Sequence, residues 1–109
     1  METLTQVAVL ARFGQALSDQ TRSTILLALK DSPAYPADLA EAAGVSRQSM
    51  SNHLACLRGC GLVVAIPEGR RTRYELADPK LAHALNDLLH VVLAADADHC
   101  PNAASERCC

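Results

Sequence analysis

The stretch PADLAEAAGVSRQSMSNHLACLRGC, residues 36–60, decides the fold. Pro36 suits a first helical position, Asp38 favours the positive end of a helix dipole, and Gly44 can take the left-handed turn that ends the short helix PADLAEAA. Ser46 is a natural N-cap for the next helix, which meets no breaker before Gly59 and can be closed by Gly61. The stretch therefore predicts helix, tight turn, helix. In a helix-turn-helix the second helix enters the major groove, and its N-terminal half meets the base edges. Arg47, Gln48, Ser49, Asn52 and His53 fall in that half and are the candidate DNA-contacting residues.

Downstream, LVVAI and TRYEL are two β-prone runs joined by PEGRR, which predicts a hairpin with an arginine-rich tip able to lie along phosphates. Arg70, Arg71 and Arg73 are its candidate DNA contacts. Upstream, a helix is predicted through Leu4, Val7, Ala8 and Ala11, its apolar face widened by Leu10, Phe13 and Leu17. A further helix starts near Ser18 and Asp19 and stops at Ser32, because Pro33 disfavours helical geometry in the residue before it. Beyond the hairpin, Asp78 caps a last helix with Pro79 in its first position, and Leu81, Ala84, Leu85, Leu88, Leu89 and Val92 repeat at steps of three and four. Such a stripe calls for a partner. The first and last helices are expected to form a symmetric dimer that presents two reading helices about one DNA turn, roughly 34 Å, apart. The expected class is mainly α with a β-hairpin: a homodimeric winged helix-turn-helix over residues 1–95, followed by a cysteine-bearing tail, residues 96–109.

Composition agrees with one small domain. The chain has 109 residues, half of them hydrophobic, but only Phe13, Tyr35 and Tyr74 are aromatic, so the core must be built from Leu, Val, Ile and Ala. No apolar run approaches the roughly 18 residues needed to span a bilayer, and the N-terminus lacks a basic region followed by an apolar one. A cytoplasmic protein is expected. The formal net charge of −2 argues against nonspecific nucleic-acid binding, yet residues 47–73 set five arginines against the single acid Glu68, a local charge of +4 on an acidic body.

Five cysteines in a reducing compartment do not form a disulfide framework, which leaves metal or redox chemistry. Cys56 and Cys60 stand four apart on the reading helix, where Cβ atoms on one face come within about 6 Å, close enough for two thiolates to share an ion. By spacing alone such a pair is more often two small buried hydrophobes.

LSDQTRSTILLAL, VSRQSMSNHLACLRGCGLV and EGRRTRYEL resemble the ArsR/SmtB family of metal-responsive repressors, in a match that extends over nearly the whole chain. The LACLRGCGLV stretch and a tail cysteine are similar to the cadmium- and lead-sensing members of that family. The resemblance implies a winged helix-turn-helix homodimer on double-stranded operator DNA. It also implies a metal site of Cys56, Cys60 and a tail cysteine, with Cys100 the best match by position. Three soft thiolates suit Cd(II), Pb(II) or Hg(II) better than a hard cation.

Other readings stand beside this one. Cys108 and Cys109, outside the resemblance, could add a ligand, capture arsenite or carry no fixed role. A thiol redox or persulfide sensor could use the same fold, though cysteines four apart on a helix bond only with strain. His83, Asp87 and His90 share a stripe of the last helix, but without the Asp-x-His opening that zinc or nickel members carry there, they are expected to be solvated. His99 is expected to be an exposed tail residue. An enzyme is not expected, because no nucleophile with an adjacent base and no C-x-x-C is present.

Overall fold

Each helix boundary has a local cause. In the computed structural model, which describes residues 3–94 with side chains through 91, α1 (Thr3–Leu17) turns into α2 (Gln20–Asp31) at Asp19. The Asp19 carboxylate accepts the backbone N–H of Arg22 at 2.9 Å, the N-cap bond that satisfies an otherwise orphaned donor. From the other side, Arg22 donates to the carbonyls of Ala16 and Gln15, and Ser23 to that of Leu17. The C-terminal carbonyls of α1 are thus capped by side chains of α2.

Next, α3 (Pro36–Ala43) begins with proline and ends at Gly44, whose φ of 69° is the left-handed cap expected there. The Ser46 hydroxyl then caps α4 (Arg47–Gly59), accepting the N–H of Ser49 at 3.0 Å. Cys60 lies one position past the helix as its C-cap, with its N–H bonded to the Cys56 carbonyl, and Gly61 (φ 78°) turns the chain away. The last helix, α5 (Pro79–Ala94), starts as expected: Asp78 accepts the N–H of Lys80 at 2.8 Å.

The wing differs from the expected boundaries. Its strands run further toward the tip, β1 (Val63–Glu68) and β2 (Arg71–Leu76), leaving Gly69 and Arg70 as a two-residue turn. Gly69 takes φ 61°, the glycine-first pattern of a type II′ hairpin turn. Pro67 stays inside β1 because it faces Thr72 at a non-hydrogen-bonded pair, where its missing N–H removes nothing from the ladder. A bridge between Ala34 and Tyr74, with N–H···O bonds of 3.0 and 2.8 Å, staples the loop before α3 to the outer edge of β2.

One core holds these pieces. Ile25, Leu26, Met50, Leu54 and Leu57 are fully buried, joined by Leu29, Leu39, Val63 and Leu85. By contrast α1 buries only Ala16, and Leu4, Val7, Leu10, Leu88 and Val91 of the two outer helices are exposed. Val92 of the expected stripe falls in α5, and His99, Cys100, Cys108 and Cys109 lie outside the described residues. No described helix is long and apolar enough to cross a membrane.

Two predictions follow from this packing. Leu54, 1% exposed, sits where α4 meets the core, so Leu54→Ala should destabilise the protein by about 2–5 kcal/mol in urea unfolding. Asp19→Ala should remove about 1 kcal/mol through the lost cap. The Arg22 N–H holds the Asp19 carboxyl below its ordinary pKa, helped by the charges of His53 and Arg22 and opposed by partial burial. Its contribution is therefore complete above the unfolded carboxylate value of about 3.9 and fades as pH falls through the lower folded value. The gap between wild type and Asp19→Ala should narrow across that acid window; a gap unchanged down to the lowest pH would show that the carboxylate is not the cap.

Candidate DNA interface and thiol site

The buried stripe of α4 fixes what its other faces carry. Met50, Leu54 and Leu57 point into the core, which leaves Arg47, Gln48 and Asn52 exposed. Gln48 Nε2 donates to Asn52 Oδ1 at 3.1 Å, an i,i+4 amide pair whose remaining Gln48 Oε1 and Asn52 Nδ2 form an acceptor and donor for a base edge. Ser49 is half-buried at the capped first turn. His53 is also half-buried, with Nδ1 3.8 Å from Asp19 Oδ2, so it packs toward the start of α2 and stands apart from the outward group.

The wing arginines divide into two kinds. Arg70 sits exposed in the turn. Arg71, on β2, lies with its guanidinium 3.4 Å from the centroid of the Tyr35 ring, a stacked cation–π contact. Arg73 is half-buried and engaged by the wing's own carboxylates: Nη1 reaches Glu68 Oε2 at 2.9 Å, and Nε lies 3.8 Å from Glu75 Oε2. Glu68 also accepts the Tyr35 hydroxyl at 2.6 Å, and that bond raises the phenol above its ordinary range. Sequence reasoning did not single out Tyr35 or Glu68 as site residues. An aromatic between Pro33 and Pro36 was the available signal, but its partner stands 33 positions away.

At the far end of α4, Cys56 is exposed and Cys60 half-buried. The difference follows from helix geometry. Gln48, Asn52, Cys56 and Cys60 form a series at steps of four, and with 3.6 residues per turn each step drifts about 40° around the axis. The series thus winds from the outward face to the flank where Cys60 packs against the core. Cys60 lines an apolar cavity of about 330 Å³ with Val9, Leu10 and Phe13 of α1 and Leu81 and Ala84 of α5. An exposed Cys56 does not fit the reading of the pair as buried hydrophobes. Among the described residues no third His, Cys, Asp or Glu joins them in a metal-sized group. On α5, His83, Asp87 and His90 are exposed, and His90 Nδ1 lies 2.8 Å from the Asn86 carbonyl.

Comparison with known proteins identifies this architecture. Residues 19–64 match the model of the bacterial regulatory proteins of the arsR family. The HTH-type transcriptional regulator CmtR of Mycobacterium tuberculosis is 58% identical over 91 residues, covering 84% of this chain and 77% of the relative. The NMR structure of that protein, described as a cadmium metal-sensor, superposes with a TM-score of 0.64 at 59% identity, covering 81% of this chain and 92% of the other. A probable mercury resistance operon repressor of Streptomyces lividans is 39% identical over 99 residues, 91% of this chain and 74% of the relative. A homodimeric winged helix-turn-helix DNA-binding domain from Mycobacterium bovis gives a TM-score of 0.73 at 32% identity, covering 83% of this chain and 82% of that one. This chain therefore belongs to the ArsR family of bacterial regulatory proteins, and is a transcriptional regulator rather than an enzyme.

Proposed function

We propose that the protein is a metal-responsive repressor: a homodimer that holds operator DNA through α4 and the wing, and releases it when a soft thiophilic cation, Cd(II), Pb(II) or Hg(II), is bound by Cys56, Cys60 and Cys100. The observation that carries this reading is the exposed and half-buried thiol pair at the end of the helix whose other end bears Gln48 and Asn52. Similarity to a cadmium sensor and to a mercury resistance repressor supports the choice of soft metals.

The dimer is supported by the exposed apolar side chains of α1 and α5, which would be covered by a second copy. Residues 96–109 act as the tail that delivers Cys100. Arg47, Gln48, Ser49 and Asn52 face the groove, with Arg70 and Arg71 on phosphates; His53 supports α4 from behind and Arg73 braces the wing.

In the free protein the core stripe holds α4 in its DNA-reading position. When bound, a soft cation supplies a single centre on which deprotonated thiols converge. Cys56 and Cys60 must lose their protons and turn toward one point together with the tail thiol. Cys60 shares its cavity with α1 and α5, so its displacement is passed to the helices that set the spacing of the two reading helices. Linkage then makes operator weaken metal binding by the same factor that metal weakens operator binding, typically 5- to 150-fold for couplings of about 1–3 kcal/mol.

Two experiments test this reading. Titration of the reduced protein with Cd(II) should give thiolate-to-metal charge-transfer absorption that saturates at one ion per subunit while operator is released. Cys56→Ser and Cys60→Ser should bind operator as wild type does and keep it in the presence of Cd(II); release equal to wild type would overturn the assignment. For the dimer, Leu10→Glu or Val91→Glu should give monomers by light scattering and weaken operator binding, whereas a variant that stays dimeric would move the interface off these helices.

A further inference from the structure

A notch of about 350 Å³ opens between the starts of α3 and α4 and the wing, lined by Tyr35, Pro36, Arg47, Arg70, Arg71 and Thr72 among others. Three arginines from two distant parts of the chain thus line one concavity. The carboxylates of the wing are directed elsewhere: Glu68 binds Tyr35 and Arg73, and Glu75 flanks Arg73. Two further features fit the notch for an oxyanion. The Tyr35 ring covers one face of the Arg71 guanidinium at 3.4 Å, which fixes its plane and leaves its edge N–H groups to donate. The ladder supplies another donor. Tyr74 turns both backbone groups toward Ala34 at the outer edge of β2, and in an antiparallel strand the residue two positions away points the same way. Thr72 therefore directs its N–H to that edge where it opens into the notch.

We infer that this notch holds a single phosphodiester group of the bound DNA strand, with Arg47, Arg70 and Arg71 converging on it and Tyr35 as the positioning residue beneath Arg71. The inference rests on the DNA-binding reading above and deepens it. It separates the arginines by role: three meet at one phosphate, while Arg73 with Glu68 and Tyr35 forms the buckle that holds the wing against the start of α3. A phosphodiester fits better than a free anion because the notch is open and lies on the same side as the outward start of α4, where a DNA strand passes in the docking geometry of this fold.

The test uses the full-length protein and an operator duplex obtained by selection from random sequences, prepared also with one neutral methylphosphonate at each successive backbone position. Wild type should lose affinity at one phosphate per half-site. Arg47→Gln, Arg70→Gln and Arg71→Gln should each weaken binding to the unmodified duplex yet lose nothing more at that same position. Arg70→Gln should also lower the slope of log affinity against log salt by about one for each half-site. Tyr35→Leu should behave like Arg71→Gln, and Tyr35→Phe, which keeps the stacking surface but loses the bond to Glu68, should weaken binding less than Tyr35→Leu. If the three arginine effects map to different phosphates, or if inorganic phosphate competes while no backbone position is shared, the notch assignment is overturned and DNA binding stands. If wild type binds no duplex, the DNA reading falls and the notch with it.

Discussion

The burial of Met50, Leu54 and Leu57 is the constraint on which the rest of the molecule depends. These three side chains, at steps of four and three along α4, seat the helix in a core that holds no tryptophan and takes its only phenylalanine at the margin. A helix fixed along one face transmits displacement along its length rather than absorbing it, because close-packed side chains resist partial shifts. From Asn52 to Cys60 the axial distance is only about 12 Å at 1.5 Å per residue. The amide pair proposed to read bases and the thiol pair proposed to bind a cation therefore share one rigid rod, with no hinge between them other than the end of the helix itself.

Electrostatics refine this picture. The segment from Arg47 to Arg73 carries a local +4, but Arg73 lies between Glu68 and Glu75, so the positive charge offered outward rests on Arg47, Arg58, Arg70 and Arg71, with Arg58 apart from the other three at the far end of α4. Ion pairs between half-exposed side chains contribute little stability, and the geometry of this group is better explained by positioning. Glu68 accepts from Tyr35 and Arg73 together, and the Ala34–Tyr74 bridge fixes the same loop through its backbone. An isolated two-stranded hairpin is at best marginally stable, so these ties to the loop before α3 are what give the wing a defined direction.

Much of the fold was legible because its signals are local. Asp19, Ser46 and Asp78 cap the helices they precede, Pro36 opens α3, and Gly44 closes it, each within a few residues of the group it satisfies. The thiol pair was equally visible as a spacing. What could not be read were contacts across the chain. Tyr35 and Glu68 are 33 positions apart, and His53 faces Asp19 through packing of α4 on α2. The strand ends were misplaced because Pro67 looks like a breaker until the register shows it at a non-hydrogen-bonded pair. Spacing also could not separate Cys56 from Cys60: both lie on one flank, and only the drift of the helix sets one in solvent and the other beside the core.

The position of Cys60 would tie assembly and sensing into one mechanism under the proposed function. Its cavity is walled by Leu10 and Phe13 of α1 and by Leu81 and Ala84 of α5, and Leu10 also contributes to the exposed apolar face of α1. A second copy that covers that face closes over the surroundings of Cys60 as well, excluding water from a thiol that one subunit alone leaves half-exposed. Lower local dielectric strengthens the attraction between thiolates and a cation, and it raises the cost of a thiolate left without one. A thiol site of the proposed kind would therefore be most discriminating in the dimer, the form that would also present two reading helices. A sensor built this way cannot alter its thiol site without altering the walls on which the spacing of those helices depends.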